Sequence, residues 1–299
     1  MQVRVPLDLH VSECQNQSLK CSAPFTMVFQ RNHLREFSAL LSLLAAFYFT
    51  HGTTAAEDIE GCRETLGQTV NTGTLPLGNS LRVLSWNIQK AGTSGWVNDL
   101  FHLGQDVQLA FIQEASLQAP IEQTIPVPLY QAFAAGYTTA SLATGVLTLS
   151  SAAPNAHCAI TTREPWLGTP KATSITEYTL AGPQRLLAVN MHGVNFTLGV
   201  NDFQQQLNAL NVLMENHVGP IIFGGDLNTW SEARQDLVDV FTLRHDLRPV
   251  TFEPDLRTRA FGRALDHIYI RGLQPVSARV VPVSSSDHNP LLVHLEVVQ

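Results

Sequence analysis

From Leu81 onward the chain is punctuated by short apolar runs that each end in a polar residue capable of chemistry. LRVLSWNI (81–88) leads to Trp86-Asn87, and VQLAFIQE (107–114) to Gln113-Glu114. RLLAVNMH (185–192) closes on Asn190-Met191-His192, and GPIIFGGD (219–226) on Gly225-Asp226, with Leu227-Asn228 behind it. Runs of this length and composition read as strands buried on one or both faces. Open α/β sheets bind ligands just beyond the carboxyl ends of their strands, so Asn, Glu, His and Asp at those ends converge if the edges coincide. LDHIYIRG (265–272) reverses the order: Asp266 stands at its start, and an antiparallel direction brings it to the same edge. VSARVVPV (276–283) leads into Ser286-Asp287-His288-Asn289-Pro290. The pattern predicts one site assembled from many separated segments.

Each motif alone has a plainer reading. Gly-Gly-Asp-Leu-Asn suits an Asx turn, in which Asp and Asn bond their own backbone. A Glu ending a strand is usually solvated, and Ser-Asp-His-Asn-Pro suits a Pro-terminated turn. Six such motifs on apolar strands are hard to produce by turn chemistry alone.

TGVLTLS (144–150), ATSITEYTL (172–180) and LLVHLEV (291–297) are further strands, rich in β-branched residues. Trp96, Leu100 and Leu103 fall at helical spacing. Asn201 or Asp202 is the expected cap of a helix through Val218, whose face carries Phe203, Leu207, Leu210 and Met214. Ser231 is the expected cap of another, carrying Ala233, Leu237, Val240 and Phe241. Eight or more strands and three helices make an α/β or α+β layered fold. Nothing marks a boundary within 80–299, which reads as one domain.

Residues 57–79, polar and rich in Thr and Gly, read as a linker or arm. SALLSLLAAFYFT (38–50) is too short to span a bilayer core, which needs about 20 residues. Arg31, His33 and Arg35 precede it and small residues follow, the order of a secretory signal peptide cleaved near Ala55 or Ala56. Residues 1–56 are thus expected to be a leader, with 1–26 a mis-assigned start or a dispensable extension ahead of Met27. The expected location is secreted or periplasmic, with no stable membrane span in the mature form. The alternatives are an uncleaved anchor or a cytoplasmic protein. Behind the leader only Cys62 and Cys158 remain; an oxidising compartment would allow them to pair, while Cys158, in the apolar stretch HCAI, reads as a small buried filler. A formal net charge of −7 excludes a broad basic surface that grips nucleic-acid backbone by charge alone.

Taken together, WNIQK (86–90), IQEA (112–115), NMHGVNF (190–196), GGDLNTW (224–230), LDHIYIRG (265–272) and SDHNP (286–290) resemble the endonuclease/exonuclease/phosphatase superfamily, over about residues 81–298. HGVNFTLGV (192–200) and AFGRALDHIYIRGL (260–273) look closest to its bacterial YafD-like branch. The resemblance implies a deoxyribonuclease I-like fold: a four-layer sandwich of two mixed β-sheets flanked by helices. It implies Glu114 as the main carboxylate ligand of Mg²⁺ or Mn²⁺, with Asn87 assisting and Asp287 in the metal shell. It implies that Asp226 orients or deprotonates the attacking water, that Asn228 fixes Asp226 and holds a phosphate oxygen, and that His192 donates to the phosphate. His288 contacts the phosphate or serves as base, oriented by Asp266. Some family nucleases carry an acidic residue where this chain has Gln89, followed by Lys90, so the metal site is expected to be less acidic here. Lys90, Asn195 and Arg263 are further candidates for substrate phosphate.

Phosphodiester hydrolysis must stabilise added negative charge and deliver an activated water. A hard cation on few carboxylates and a carboxylate or imidazole base meet those needs. The expected activity is metal-dependent hydrolysis of phosphodiesters by a nuclease or phosphodiesterase, its partner a phosphoester substrate that includes nucleic acid among the options. The alternatives are a phosphomonoesterase or phospholipase C-type hydrolase and, third, a binding module that has lost the chemistry.

Overall fold

Period-two alternation decides which side chains of each strand meet the core, and here it also decides which reach the site. The computed structural model describes residues 58–68, 73, 75–127, 129–165 and 167–298; residues 1–56, expected from the sequence to be a leader, lie outside them. Among the described residues no helix is long and apolar enough to cross a membrane.

One six-stranded sheet runs in the order β13 (Leu273–Val280), β14 (Leu291–Val297), β1 (Ser80–Asn87), β2 (Leu109–Ser116), β4 (Ala143–Ser150) and β3 (Tyr130–Thr138). The other runs β5 (Ala156–Arg163), β6 (Pro170–Thr179), β7 (Arg185–His192), β8 (Ile221–Asp226), β12 (Asp266–Arg271) and β9 (Arg248–Pro249). Strands β10 (Arg259–Ala260) and β11 (Arg263–Ala264) form a small hairpin. Each large sheet has one parallel pair, β1 with β2 and β7 with β8, so both are mixed. Sheets pack through Leu81, Val83, Leu109 and Phe111 on one side and Ala188, Ile222, Ile268 and Ile270 on the other. The outer face of the first sheet buries Trp86 and Ile112 under α2 (Trp96–Leu103). That of the second buries Val189 and Phe223 under α4 (Asn201–Met214) and α5 (Glu232–Arg244). The result is the expected four-layer sandwich. Helix α3 is a single turn at Ile121–Thr124.

Several local details depart from the sequence reading. Helix α4 keeps its expected apolar face, but its N-cap is Val200; Asn201 and Asp202 are the first helical residues, where Asp202 complements the helix dipole. The helix stops at Met214 rather than Val218. Ser231 does cap α5, accepting from the Arg234 N–H at 3.4 Å. The buried face of α5 is Arg234, Val238, Phe241 and Thr242, whereas Val240 is exposed. Within the 57–79 arm, Asp58 caps helix α1 (Ile59–Thr65), which buries Cys62 in the core beside α4 and β5. Cys62 and Cys158 are both buried thiols, not a disulfide, and their mutual hydrogen bond together with burial pushes the Cys158 thiol up.

At the end of the sandwich remote from the polar strand tips, His217 is folded in as a neutral imidazole. Burial, and then Arg271 and Arg185 beside it, pull it down to about 4, although its contacts with the Pro220 and Arg185 backbone oppose this. The unfolded chain protonates the same ring near 6.5. The unfolded state therefore binds more protons between those values, and stability at this site is lost as pH falls from about 6.5 toward 4. Subtracting one profile from the other isolates the group: His217→Gln is expected to show a smaller fall in Tm than the parent chain between pH 6.5 and 4. Parallel profiles would show that His217 does not carry this linkage.

Candidate active site

The inter-sheet core turns polar at one end because the alternation continues past the last apolar residue. On β1 the face that buries Leu81 and Val83 next presents Ser85 and Asn87. On β2 the Leu109–Phe111 face next presents Gln113, and on β7 the Leu186–Ala188 face presents Asn190 and His192. Asp226 follows Ile222 and Gly224 on β8, and Asp266 precedes Ile268 and Ile270 on β12. Register completes the convergence: Asp226 stands opposite His192 on one side and Asp266 on the other. Gln113 and Asn190 pair side chain to side chain across the sheets at 2.7 Å, forming a polar floor.

Asp226 is the hub. Its Oδ2 accepts from Asn87 Nδ2 at 3.0 Å and lies 3.4 Å from His192 Nε2 and 3.8 Å from His288 Nε2. Its Oδ1 accepts from the Asn228 N–H at 3.1 Å, so the Asx turn exists and shares the carboxylate with the site. Asn228 holds the turn at φ 52° and anchors its amide on the Gly193 carbonyl at 3.1 Å. Gly225 lies at φ 131° against the Met191 carbonyl, where a Cβ would collide.

His288 enters on the 284–290 loop. Trp86 Nε1 donates to its carbonyl at 2.9 Å, and Ser286 Oγ accepts from its N–H at 3.1 Å and donates to the Asn87 carbonyl at 2.7 Å. Its Nδ1 meets Asp266 Oδ2 at 2.8 Å, which fixes the tautomer and turns Nε2 toward Asp226. Burial alone disfavours the imidazolium, but the Asp266 charge and hydrogen bond, with Asp226 and Asp287, lift its pKa to about 10. Burial raises Asp226 to about 6, against the pull of His288. His192 is driven well below its usual value by burial and then by Lys171.

Glu114 sits on a bulge. The β2–β4 register shifts between Ile112 and Ala115, and Glu114 takes φ 48°, a costly conformation for a non-glycine residue and typical of functional positions. Its carboxylate meets Lys90 Nζ at 3.0 Å and Lys171 Nζ at 3.9 Å. Two ammonium groups thus neutralise the Glu114 carboxylate. Hard oxygen donors and the absence of cysteine from this cluster suit Mg²⁺ or Mn²⁺. A second set, Asp226, Asp266 and His288, has ligand atoms within 4.8 Å of one another, but the Asp266–His288 hydrogen bond and the Asn87 and Asn228 contacts already use its donors and acceptors.

The remaining candidates lie further out. Asp287 is exposed, with its carboxylate 3.4 Å from Ser286 Oγ and outside the close acidic set. Asn195 accepts from Trp230 Nε1 at 2.9 Å and braces the β7–α4 loop. Arg263 lies 3.7 Å from Glu232 on the β10–β11 hairpin. Lys171 carries no motif in the sequence: it is the second residue of β6, and the antiparallel β6–β7 pairing beyond it brings its Nζ to 3.0 Å from His192 Nε2.

This layered fold, with acid, imidazole and amide groups gathered at one end of the two sheets, is of the deoxyribonuclease I-like class of phosphoester hydrolases. Residues 84–288 match the Endonuclease/Exonuclease/phosphatase family, and the chain belongs to it. Within that family it groups with the UPF0294 proteins: one from Vibrio vulnificus is 40% identical over 223 residues, covering 72% of this chain and 76% of that one. Another, from Yersinia pestis, is 38% identical over 224 residues, covering 74% and 86%. The fold is shared with the endonuclease/exonuclease/phosphatase from Beutenbergia cavernae (TM-score 0.56, 13% identity, 73% of this chain and 72% of that one). The catalytic domain of human Nocturnin with bound sulfate anion gives a TM-score of 0.54 at 14% identity, over 75% and 97%.

Proposed function

We propose that the chain is a divalent-cation-dependent phosphodiesterase. The observation that carries this reading is Asp226 held between Asn87, the Asn228 N–H, His192 and a His288 that Asp266 orients. Asp226 takes a proton from the attacking water, whose oxygen bonds to phosphorus; burial raises this carboxyl to about 6, a useful strength for a base near neutral pH. His288 presents a protonated Nε2 to a non-bridging phosphoryl oxygen, and His192 and Lys171 line the opposite wall. The leaving oxygen departs with the electrons of the broken P–O bond and takes its proton from solvent. Glu114 and Asn87, with Asp287 outside them, are the groups that would hold Mg²⁺ or Mn²⁺, which when bound neutralises charge on phosphoryl and leaving oxygens. An exported location belongs to the same proposal, and N-terminal sequencing of the mature protein tests it.

The test is a panel of bis-p-nitrophenyl phosphate, p-nitrophenyl phosphate, RNA and plasmid DNA, with and without Mg²⁺. Mg²⁺-dependent turnover of the diester is expected; turnover of the monoester alone would transfer the reading to a phosphomonoesterase. Glu114→Gln is expected to weaken Mg²⁺ binding by titration calorimetry at least as much as loss of an outer-shell partner does, about 10- to 100-fold or more. Unchanged affinity would remove Glu114 from the metal site.

A further inference from the structure

Beside Glu114 lies a pocket of about 350 Å³ whose apolar lining the mechanism does not use. Its more buried groups are Lys171, Glu114 and His192, with Lys90 exposed beside them; its exposed apolar side chains are Tyr137, Leu167 and Phe196. These three are 44%, 59% and 53% exposed, an unusual concentration of apolar surface beside a charged site.

The apolar wall is braced. Glu164, fully buried, accepts from the Asn195 and Phe196 N–H groups at 2.8 and 3.3 Å. Its other oxygen accepts from Thr169 Oγ1 at 2.5 Å, and its backbone closes the turn that carries Leu167 by bonding Gly168 and Thr169. One buried carboxylate therefore fixes both the Leu167 turn and the Phe196 loop. Meanwhile Thr144 Oγ1 donates to the Tyr137 carbonyl. Glu164 and the hydroxyls of Thr144 and Thr169 are thus engaged within the protein. A nucleobase edge would find few matching partners on this wall and would lose hydrogen bonds to water, whereas an alkyl chain loses none. Tyr137, with an apolar ring and a polar tip, suits the exposed part of such a pocket.

We propose that this pocket receives the non-leaving substituent of the phosphodiester, that this substituent is a lipid-type alkyl or acylglyceryl chain, and that Lys171 donates to a phosphoryl oxygen at its more buried side. The proposal rests on the phosphodiesterase reading and names its substrate class. It joins a cation to an apolar wall, the pattern an amphiphilic phosphoester requires, and it agrees with a net charge unsuited to polyanions.

The experiment compares three diesters that share one chromophoric leaving group: methyl, hexyl and thymidine-5′-yl p-nitrophenyl phosphate, each with Mg²⁺ and the full chain. The hexyl ester is expected to exceed the methyl ester about 10-fold in kcat/KM, in line with partial burial of its added methylenes. In a Leu167→Ser, Phe196→Ser double variant the hexyl-to-methyl ratio should fall toward one; because it is a ratio, loss of folded protein cancels. Lys171→Met should raise KM for all three esters and Lys171→Arg should restore it, which a packing defect would not do. Equal hexyl and methyl rates, a preference for the thymidine ester, or a ratio unmoved by the double variant overturns the proposal. If no ester is turned over, the hydrolytic reading fails separately. Calorimetry then decides the pocket: tighter binding of hexyl phosphate than methyl phosphate supports it, and equal binding overturns it.

Discussion

Asp226→Asn is expected to lower kcat/KM on bis-p-nitrophenyl phosphate by about 10³-fold, within the range of a lost general base, without lowering the Tm. Asparagine is nearly isosteric, and its Oδ1 can still accept from the Asn228 N–H, so the turn after β8 keeps its geometry. His288 retains its 2.8 Å contact with Asp266 and therefore its orientation. What disappears is the negative charge, the ability to take a proton and the Oδ2 acceptor of the Asn87 amide, the last offset by relief of a buried charge. Burial makes that charge costly, which is why the carboxyl titrates at about 6 rather than in the usual carboxylate range. Removing it should leave stability unchanged or improved, the usual relation between a strained site and activity. Kinetics with excess Mg²⁺ and a thermal melt of the same preparation check both halves. Activity above a tenth of the parent's would remove Asp226 from the role of base, and a large fall in Tm would make it a structural carboxylate.

The converging strands were legible because period two carries a core face onward into a functional face without any change of rule. Asn87, His192, Asp226 and Asp266 were read as strand-end residues, and each continues the inward face of its own strand. Glu114 was legible as a residue type but not as a geometry, since its bulge depends on how β4 pairs with β2. Strand β3, YQAFAAGYT, was not read as a strand, being rich in alanine and glycine; its pairing with β4 supplies what its propensity lacks. Strand β5 was missed as well, although its Cys158 was read as a small buried residue and is one. Lys171 and Glu164 carry no local motif, and each gains its meaning from a partner 21 or more residues away. The N-cap of α4 was placed one or two residues late because Asn and Asp are favoured both as caps and in a helix's first turn.

Arg234 is the strongest case of a long-range role hidden in a helix pattern, and its replacement is expected to have the largest effect on stability. It lies on the buried face of α5, fully enclosed, where a sequence reading expects an apolar residue. Among the described residues no carboxylate forms an ion pair with it. Its guanidinium donates to the Val194 carbonyl at 2.7 and 2.8 Å, to the Asn228 carbonyl at 3.2 Å and to Thr197 Oγ1 at 3.2 Å. It also lies against the Phe203 and Trp230 rings, 4.6 and 5.0 Å from their centroids. Burial draws its pKa down to about 10, with Glu164 and Asp226 opposing this, so it remains charged at neutral pH. Arg234 thereby clamps the loop after β7 to the loop after β8, the two segments that present His192 and Asn228. Arg234→Met preserves the volume and the ring contacts but strips the partners from several buried carbonyls. A loss of about 3 kcal/mol is expected, corresponding to a fall of roughly 10 °C in Tm for a domain of this size. Arg234→Lys keeps a charge but loses the planar fork, and should fall between the two. Because the clamp ends on Asn228, kcat should drop in the folded Met variant even well below its melting point. Denaturant titration with kinetics at low temperature measures both effects; a Met variant within 1 kcal/mol of the parent, at full kcat, would show that neighbouring packing holds these loops without the clamp.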